Sequence, residues 1–378
     1  MAIRARAVES VVMTGRLDPA FWRGRRVLLT GQTGFKGAWG ALWLSRMGAR
    51  VVGFALAPET EPSLYQGAGV AADIDSHIGD LRDRDEVRRV VQAADPEIVL
   101  HMAAQAIVRR AFHDPVGTVA SNVLGTVHLL DALRTAPSLR VVLVITSDKV
   151  YQNRDTGAPF REGDALGGNE IYSASKAAVE FITEAMAQAH FAGRVAVATA
   201  RGGNVIGGGD YAEDRLVPDI VRAAARCEPP VLRYPDAVRP WQHVLDCLCA
   251  YLVYAQALAA DPTLPRALNV GPQAQSALSV RDLAESILAA LGADRSWRRD
   301  TASNPYEAKT LALDSTLLRT RLGWRDALPG AAAIAATAAW YRAISNGETM
   351  RTRSLADIDL FMRLGQGCDG PASAFFST

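Results

Sequence analysis

The heptapeptide Gly31-Gln32-Thr33-Gly34-Phe35-Lys36-Gly37 constrains this chain more than any other stretch. It follows the apolar run Arg26 to Thr30 (RVLLT), which reads as a buried strand, and leads into a segment of helical period from Gly37 to Met47. A second apolar run, Arg50 to Phe54 (RVVGF), comes next. Strand, glycine-rich turn, helix and strand make one βαβ unit, which requires parallel pairing and a crossover. Glycines at GxxGxxG spacing let the turn tighten, bring backbone up to a pyrophosphate and let helix pack on strand. Free N–H groups at the helix start attract phosphate oxygens. Gly31, Thr33, Gly34, Phe35 and Gly37 are therefore the expected cradle of a dinucleotide.

The alternation continues with helices expected near 84–94, 115–134 and 172–191, and strands at Ile98 to Met102, Val141 to Thr146 and Val195 to Ala200. This is the pattern of an α/β fold built on a doubly wound parallel (Rossmann) sheet, with helices on both faces. After residue 200 the character changes to a glycine-rich loop, Asn204 to Asp210, and a mixed region punctuated by prolines. The expected organisation is an N-terminal extension (1–20), a nucleotide-binding domain (21–200), and a smaller C-terminal substrate-binding domain (201–350). That last part has room to return one strand or helix to the first, and residues 351–378 form a tail containing Gly365, Gly367 and Gly370.

Composition removes other classes. With 378 residues, 49% of them hydrophobic, the chain can bury a large core. Lys and Arg number 41 against 40 Asp and Glu, a net charge of +1 that gives no general reason to hold nucleic acid or an anionic membrane. No run of eighteen apolar residues and no secretory h-region occur, so no membrane association is expected. Cys227, Cys247, Cys249 and Cys368 show no metal-ligand spacing and the six histidines are scattered, so no metal is expected. Reduced thiols in a cytoplasm fit this usage.

Further residues extend the dinucleotide reading. No acid stands between Phe54 and Pro58 to hold a ribose, and no cation does either unless Arg50 or Lys36 reaches a 2′-phosphate, so NAD is favoured over NADP. Asp80 and Leu81 follow a short third strand, where Asp80 can meet the adenine. Ala103 and Ala104, after the fourth strand, are small enough for the nicotinamide half to lie against backbone. Tyr172 and Lys176, at i and i+4, share one helix face. An ammonium near a phenol lowers a pKa that starts at about 10, making Tyr172 a general base for a hydroxyl that loses hydride. The preceding strand ends in Thr146-Ser147-Asp148-Lys149.

With these motifs in order, the sequence resembles the extended short-chain dehydrogenase/reductases that modify nucleotide sugars, from about Phe21 to about residue 345. Within them it is most similar to the CDP-glucose 4,6-dehydratases. The runs that carry this are Phe21-Trp22, the glycine turn, Thr146 to Lys149, Arg201-Gly202-Gly203-Asn204-Val205-Ile206-Gly207-Gly208-Gly209-Asp210 and Arg239-Pro240-Trp241-Gln242-His243-Val244. Related dehydratases usually carry Glu where this chain has Lys149; Ala57 and Val150 also depart from the pattern.

The resemblance implies an internal redox cycle on a nucleoside-diphosphate sugar in deoxysugar or surface-polysaccharide synthesis. NAD takes hydride from C4, water leaves across C5 and C6, and the hydride returns to C6. Tyr172 with Lys176 would take the C4 hydroxyl proton and Ser147 would hold that oxygen. Asp148 is the general acid at C6 and Lys149 the candidate base at C5, with a proton shared by the pair, or a water oriented by Lys149, left open. Both roles need shifted pKa values, from about 3.9 and about 10.4, and adjacent opposite charges oppose both. Gln105, Arg109, Arg201, Asn204, Arg239 and Trp241 are the candidates for the sugar nucleotide, arginine forks matching phosphate oxygens in pairs. The family also implies a homodimer in which helices near 115–134 and 172–191 pair as a four-helix contact. A C4 epimerase or reductase of this fold, and a dinucleotide-sensing protein without turnover, are the alternatives.

Overall fold

A computed structural model describes residues 15–273, 277–302, 308 and 310–365. Residues 1–14 of the expected extension, and the tail from 366 with Gly367, Gly370 and Cys368, lie outside the described residues. Seven strands form one parallel sheet: β1 (Arg26–Thr30), β2 (Arg50–Ala55), β3 (Asp75–Ile78), β4 (Ile98–His101), β5 (Val141–Ser147), β6 (Ala196–Gly202) and β7 (Ala267–Val270). Their order in space is β7-β6-β5-β4-β1-β2-β3. The chain thus grows outward from β1 through β2 and β3, returns to the other side of β1 at β4, and grows outward again. Ligands bind at such a reversal, outside the carboxyl ends of the strands.

Both faces of this sheet are covered, which is why the strands read as continuous apolar runs. Val27 and Leu29 of β1 with Val141, Leu143 and Ile145 of β5 join one hydrophobic cluster, while Leu28, Val142 and Val144 join the other. On the first face lie α1 (Phe35–Arg46) and the helix Val244–Ala260; on the second lie α2 (Arg84–Ala94), α3 (Pro115–Leu133) and α4 (Ile171–Met186). The caps are written in the sequence: Asp83 accepts from the N–H groups of Asp85 and Glu86 to start α2, and Glu170 accepts from those of Tyr172 and Ser173 to start α4. The expected helix at 172–191 ends at Met186 and relaxes into a π turn over Ala187–Phe191. α3 contains a similar turn at Ala120–Leu124. By length and composition α3 could cross a bilayer, but Leu129, Leu130 and Leu133 pack in the core of the second face.

Beyond β6 the chain forms α5 (Leu216–Ala225) and α6 (Val244–Ala260), and it sends β7 back to the edge of the large sheet. α6 is apolar almost all round because it is buried on nearly every side, against β5, β6 and α1. A separate three-stranded sheet, built from Asn204–Ile206, Val238–His243 and Ala277–Ser279, carries the segments expected to face a substrate.

Arg201 corrects an expectation. It does not reach the substrate cavity but lies within β6, 4% exposed, where its Nη2 meets Glu180 Oε2 at 2.9 Å and its Nη1 donates to the Tyr151 hydroxyl at 2.8 Å. Glu180, on α4, also accepts from Thr146 at 2.5 Å and Thr199 at 2.7 Å. The pair pins α4 to β5 and β6, and a buried guanidinium without its carboxylate is costly. We expect Glu180→Ala to lower unfolding free energy by about 3–5 kcal/mol in denaturant titration. The double replacement Glu180→Leu/Arg201→Leu should lose clearly less.

Candidate active site

The glycine turn sits at the carboxyl end of β1, at the reversal of strand order. Gly31 has φ +84°, and a Cβ on it would lie 2.8 Å from Ala103 N; one on Gly37 would lie 1.9 Å from Gly31 O. Only glycine permits this stacking of turn, helix and the segment after β4. Gly34 begins α1 in extended geometry and no side chain caps the helix, so its first-turn N–H groups are left to an outside acceptor. Such a cradle fits a dinucleotide pyrophosphate. Ala103, Ala104 and Asp80 lie on the same rim, past β4 and β3. Asp80 is paired with Arg82 at 2.6 Å, whose hydrogen bond holds the carboxyl below its ordinary range. Leu81 is buried beside it.

Neither cation that could have served a 2′-phosphate is available for one. Arg50 begins β2, a strand length of roughly 16 Å from that rim. Lys36 turns inward, its Nζ 5.7 Å from the ring centroid of Tyr251 on α6. Glu59 is paired with Arg110 at 2.7 Å.

Ser147, Asp148 and Lys149 cross from the end of β5 into a short turn. Ser147 Oγ donates to Asp148 Oδ1 at 2.9 Å and accepts from the Lys149 N–H at 3.2 Å. Asp148 is 4% exposed and its Oδ2 has no partner. Burial pushes this carboxyl up, against the opposing pull of Lys149, Ser147 and Arg239. The direction is the one a general acid needs. The adjacent lysine reduces the shift without reversing it.

The Tyr172 phenol is also raised, not lowered as expected. Burial dominates, and the groups that oppose it are Arg215 and Ser147. Lys176 sits one turn along α4 but gives its Nζ to the Ile145 carbonyl at 3.2 Å. Burial, with Lys36 second, pushes Lys176 down to about 8. The i,i+4 pattern places both groups on one face but does not show that burial outweighs their mutual effect. Sequence reasoning misses Arg215 and Tyr251 in this group because each arrives from a distant segment with no local motif, and it offers Lys36, within the glycine turn, only to a 2′-phosphate. Burial holds the Tyr251 phenol well above its usual value, and both Tyr172 and Asp148 act on it.

Next to this group a cavity of about 270 Å³ is lined by Lys149 and Tyr151 and by four of the expected substrate residues, Arg109, Asn204, Arg239 and Trp241. Arg239 is only 2% exposed, its Nη2 donating to the Ala308 carbonyl at 2.6 Å. Trp241 Nε1 donates to the Leu278 carbonyl at 3.2 Å. Arg109 and Arg233 both meet Asp214 Oδ1, at 3.2 and 3.0 Å. Gln105 is a second correction. Its amide donates to Thr118 Oγ1 at 2.9 Å and accepts from the Ile107 N–H at 2.7 Å, so it braces its own loop and stays off the cavity wall. Asn122 completes that brace, its Oδ1 accepting from the Gln105 N–H at 2.8 Å.

A family model described as GDP-mannose 4,6 dehydratase matches residues 28–335. The chain is 39% identical over 353 residues to the CDP-glucose 4,6-dehydratase of Salmonella typhimurium, spanning 92% of this chain and 98% of that one. A dTDP-glucose 4,6-dehydratase of Xanthomonas campestris pv. campestris is 30% identical over 342 residues, 83% of this chain and 92% of that one. The solved UDP-glucose 4-epimerase of Thermus thermophilus, a complex with NAD, superposes with a TM-score of 0.73 at 25% identity, covering 84% of this chain and 99% of that one. The glycine cradle, the Tyr172–Lys176 helix and the match over most of the length agree: this chain belongs to the GDP-mannose 4,6 dehydratase family of nucleotide-sugar enzymes, of the short-chain dehydrogenase/reductase type.

Proposed function

We propose that this chain acts on CDP-glucose, removing water to form CDP-4-keto-6-deoxyglucose with NAD as a recycled cofactor. The observation that carries the reading is the buried Asp148 carboxyl, pushed up by its burial and with one oxygen unpartnered, beside Ser147 and next to a cavity that Lys149 lines. A nicotinamide dinucleotide, its pyrophosphate held by the glycine cradle, would supply a two-electron acceptor that gives its hydride back within the same turnover. The chain itself moves protons. Tyr172 takes the proton of the C4 hydroxyl while Ser147 holds that oxygen. Once C4 is a ketone, the C5 proton is acidic; Lys149, directly or through a water, removes it. Asp148 delivers a proton to the departing C6 hydroxyl, which leaves as water.

Arg239 and Arg109 serve the diphosphate, and Asn204 and Trp241 the sugar side. Residues 21–200 hold the dinucleotide and 201–350 mainly shape the substrate half, with β7 and α6 rejoining the first. The dehydratase reading is favoured over epimerisation by the acid and base pair after Ser147, for which a simple oxidation and re-reduction at C4 has no use. A cytoplasmic site of action is supported by the free thiols of Cys227, Cys247 and Cys249. A homodimer through α3 and α4 is supported by the exposed Val116 (77%), Phe181 (56%), Leu124 (47%) and Val119 (44%) on those helices.

Incubation with CDP-glucose and catalytic NAD should yield the 4-keto product without net reduction of cofactor; a C4-inverted sugar as product would reject the reading. Tyr172→Phe should lower kcat by at least about a thousandfold, and Asp148→Asn by about a hundredfold or more, with nucleotide binding retained in calorimetry. Because Lys176 holds its proton only below about 8, kcat/KM should fall as pH rises through that value. Lys36→Met removes one cause of the depression, so that alkaline limb should move to higher pH whatever happens to its height. In light scattering, Val116→Glu/Phe181→Glu should convert a dimer into a monomer.

A further inference from the structure

In a sugar nucleotide the order is sugar, diphosphate, ribose, base, so the base lies on the far side of the arginines from the catalytic group. Arg239 is close enough to Asp148 to act on its carboxyl and marks the near side. Elsewhere on the same cavity wall are Val217 and Pro218, at the start of α5, and Val231 and Leu232, an apolar lining suited to a flat ring. The next residue on α5, Asp219, lines the cavity too. The groups that act on it most strongly are Arg222, Arg233 and Asp214, none of them part of the catalytic cluster, and Arg233 directly follows Leu232.

Asp219 is a positioned acceptor. Its Oδ1 takes a hydrogen bond from Arg222 Nη2 at 2.5 Å, and Arg222 is itself held by the carbonyls of Tyr211 at 3.0 Å and Ala212 at 3.1 Å. The carboxylate is therefore held through Oδ1, on a residue that lines the cavity. Burial pushes the group up, against the pull of Arg222 and Arg233. Asp214, the neighbouring cavity carboxylate, is by contrast shared between two arginines.

We infer that Asp219 selects the nucleobase, its carboxylate accepting from the exocyclic amine of cytosine. Cytosine offers an N–H donor at the position where uracil and thymine present a carbonyl oxygen, so a fixed carboxylate attracts the first and repels the other two. A site built around such a hydrogen bond rejects the analogue lacking it far more strongly than an apolar slot rejects a methyl group. The inference rests on the CDP-glucose reading and assigns its base specificity to one side chain.

The test measures binding of CDP, UDP, dTDP and GDP to the NAD-loaded protein by calorimetry, together with kcat/KM for the corresponding glucose nucleotides, in the wild type and in Asp219→Asn and Asp219→Leu. The wild type should bind CDP at least about tenfold more tightly than UDP or dTDP. Asp219→Asn, whose amide can donate to a carbonyl, should bring the ratio to within about threefold. Asp219→Leu should weaken CDP and, with the repulsion gone, leave UDP and dTDP somewhat tighter, with unfolding temperatures confirming an intact fold. An unchanged CDP-to-UDP ratio in both variants would overturn the inference, and tighter binding of GDP than CDP by the wild type would do so as well. Wild-type turnover of a different glucose nucleotide in place of CDP-glucose would instead overturn the substrate reading, whichever way the variants behave.

Discussion

The approach of Gly37 to the Gly31 carbonyl sets the rest of the molecule in place. With no room there for a Cβ, α1 can run down onto the sheet directly from the end of β1, and its opening N–H groups face the crevice where the strand order reverses. Everything chemical in the chain is placed relative to that crevice. Ala103 follows β4, Ser147 ends β5 and Gly202 ends β6, so adjacent strands deliver the wall, the hydroxyl and the floor in order. A methyl group on Gly37 would have to displace backbone, and so would disturb the cofactor seat and the β1 to β4 seam together.

Around that crevice the dominant electrostatic force is burial. The Asp148 carboxyl and the Tyr172 phenol are both held toward their neutral forms, and Lys176 toward its own, by the same loss of water. The shift at Asp148 suits a group that donates a proton, whereas the shift at Tyr172 has to be offset before its phenol can take one. Arg215, with help from Ser147, is the group here that favours the phenolate. The cavity proposed for the sugar nucleotide is lined by the same arginine-rich region, Arg215, Arg233 and Arg239 among it. Substrate phosphates that engage Arg215 would weaken its hold on Tyr172, so the charge balance of the catalytic group depends on what occupies the substrate half.

The sheet is legible in the sequence because its signals are local. Apolar runs buried on two faces, glycine turns and Asp or Glu caps all lie within a few residues of one another, and the helix expected at 84–94 is found there as α2. Residues whose partners are distant in sequence are not legible. Arg201 stands beside the glycine loop, as a phosphate ligand would, yet its carboxylate is Glu180, twenty-one residues back on α4. Gln105 follows Ala103 and Ala104, the small residues the sequence offers to a nicotinamide, but Thr118 and Asn122 claim it from α3. A sequence names the chemistry of such side chains without naming what they are buried against, and for a polar group burial decides the role.

The fold alone does not separate dehydration from epimerisation, since the same sheet and cradle superpose on an epimerase over 84% of the chain. Both reactions need a base at the C4 hydroxyl, which Tyr172 can provide, and both need a returning hydride. Only elimination needs an acid on the C6 side and a base at C5. Asp148 and Lys149 are consecutive in a tight turn after β5, so one cannot move without the other, and Ser147 bonds to both. A proton taken by one member can therefore be matched by a proton given by the other within a single rigid turn. In the proposed elimination such a coupling would keep net charge constant beside a carboxyl whose burial leaves little water to screen it.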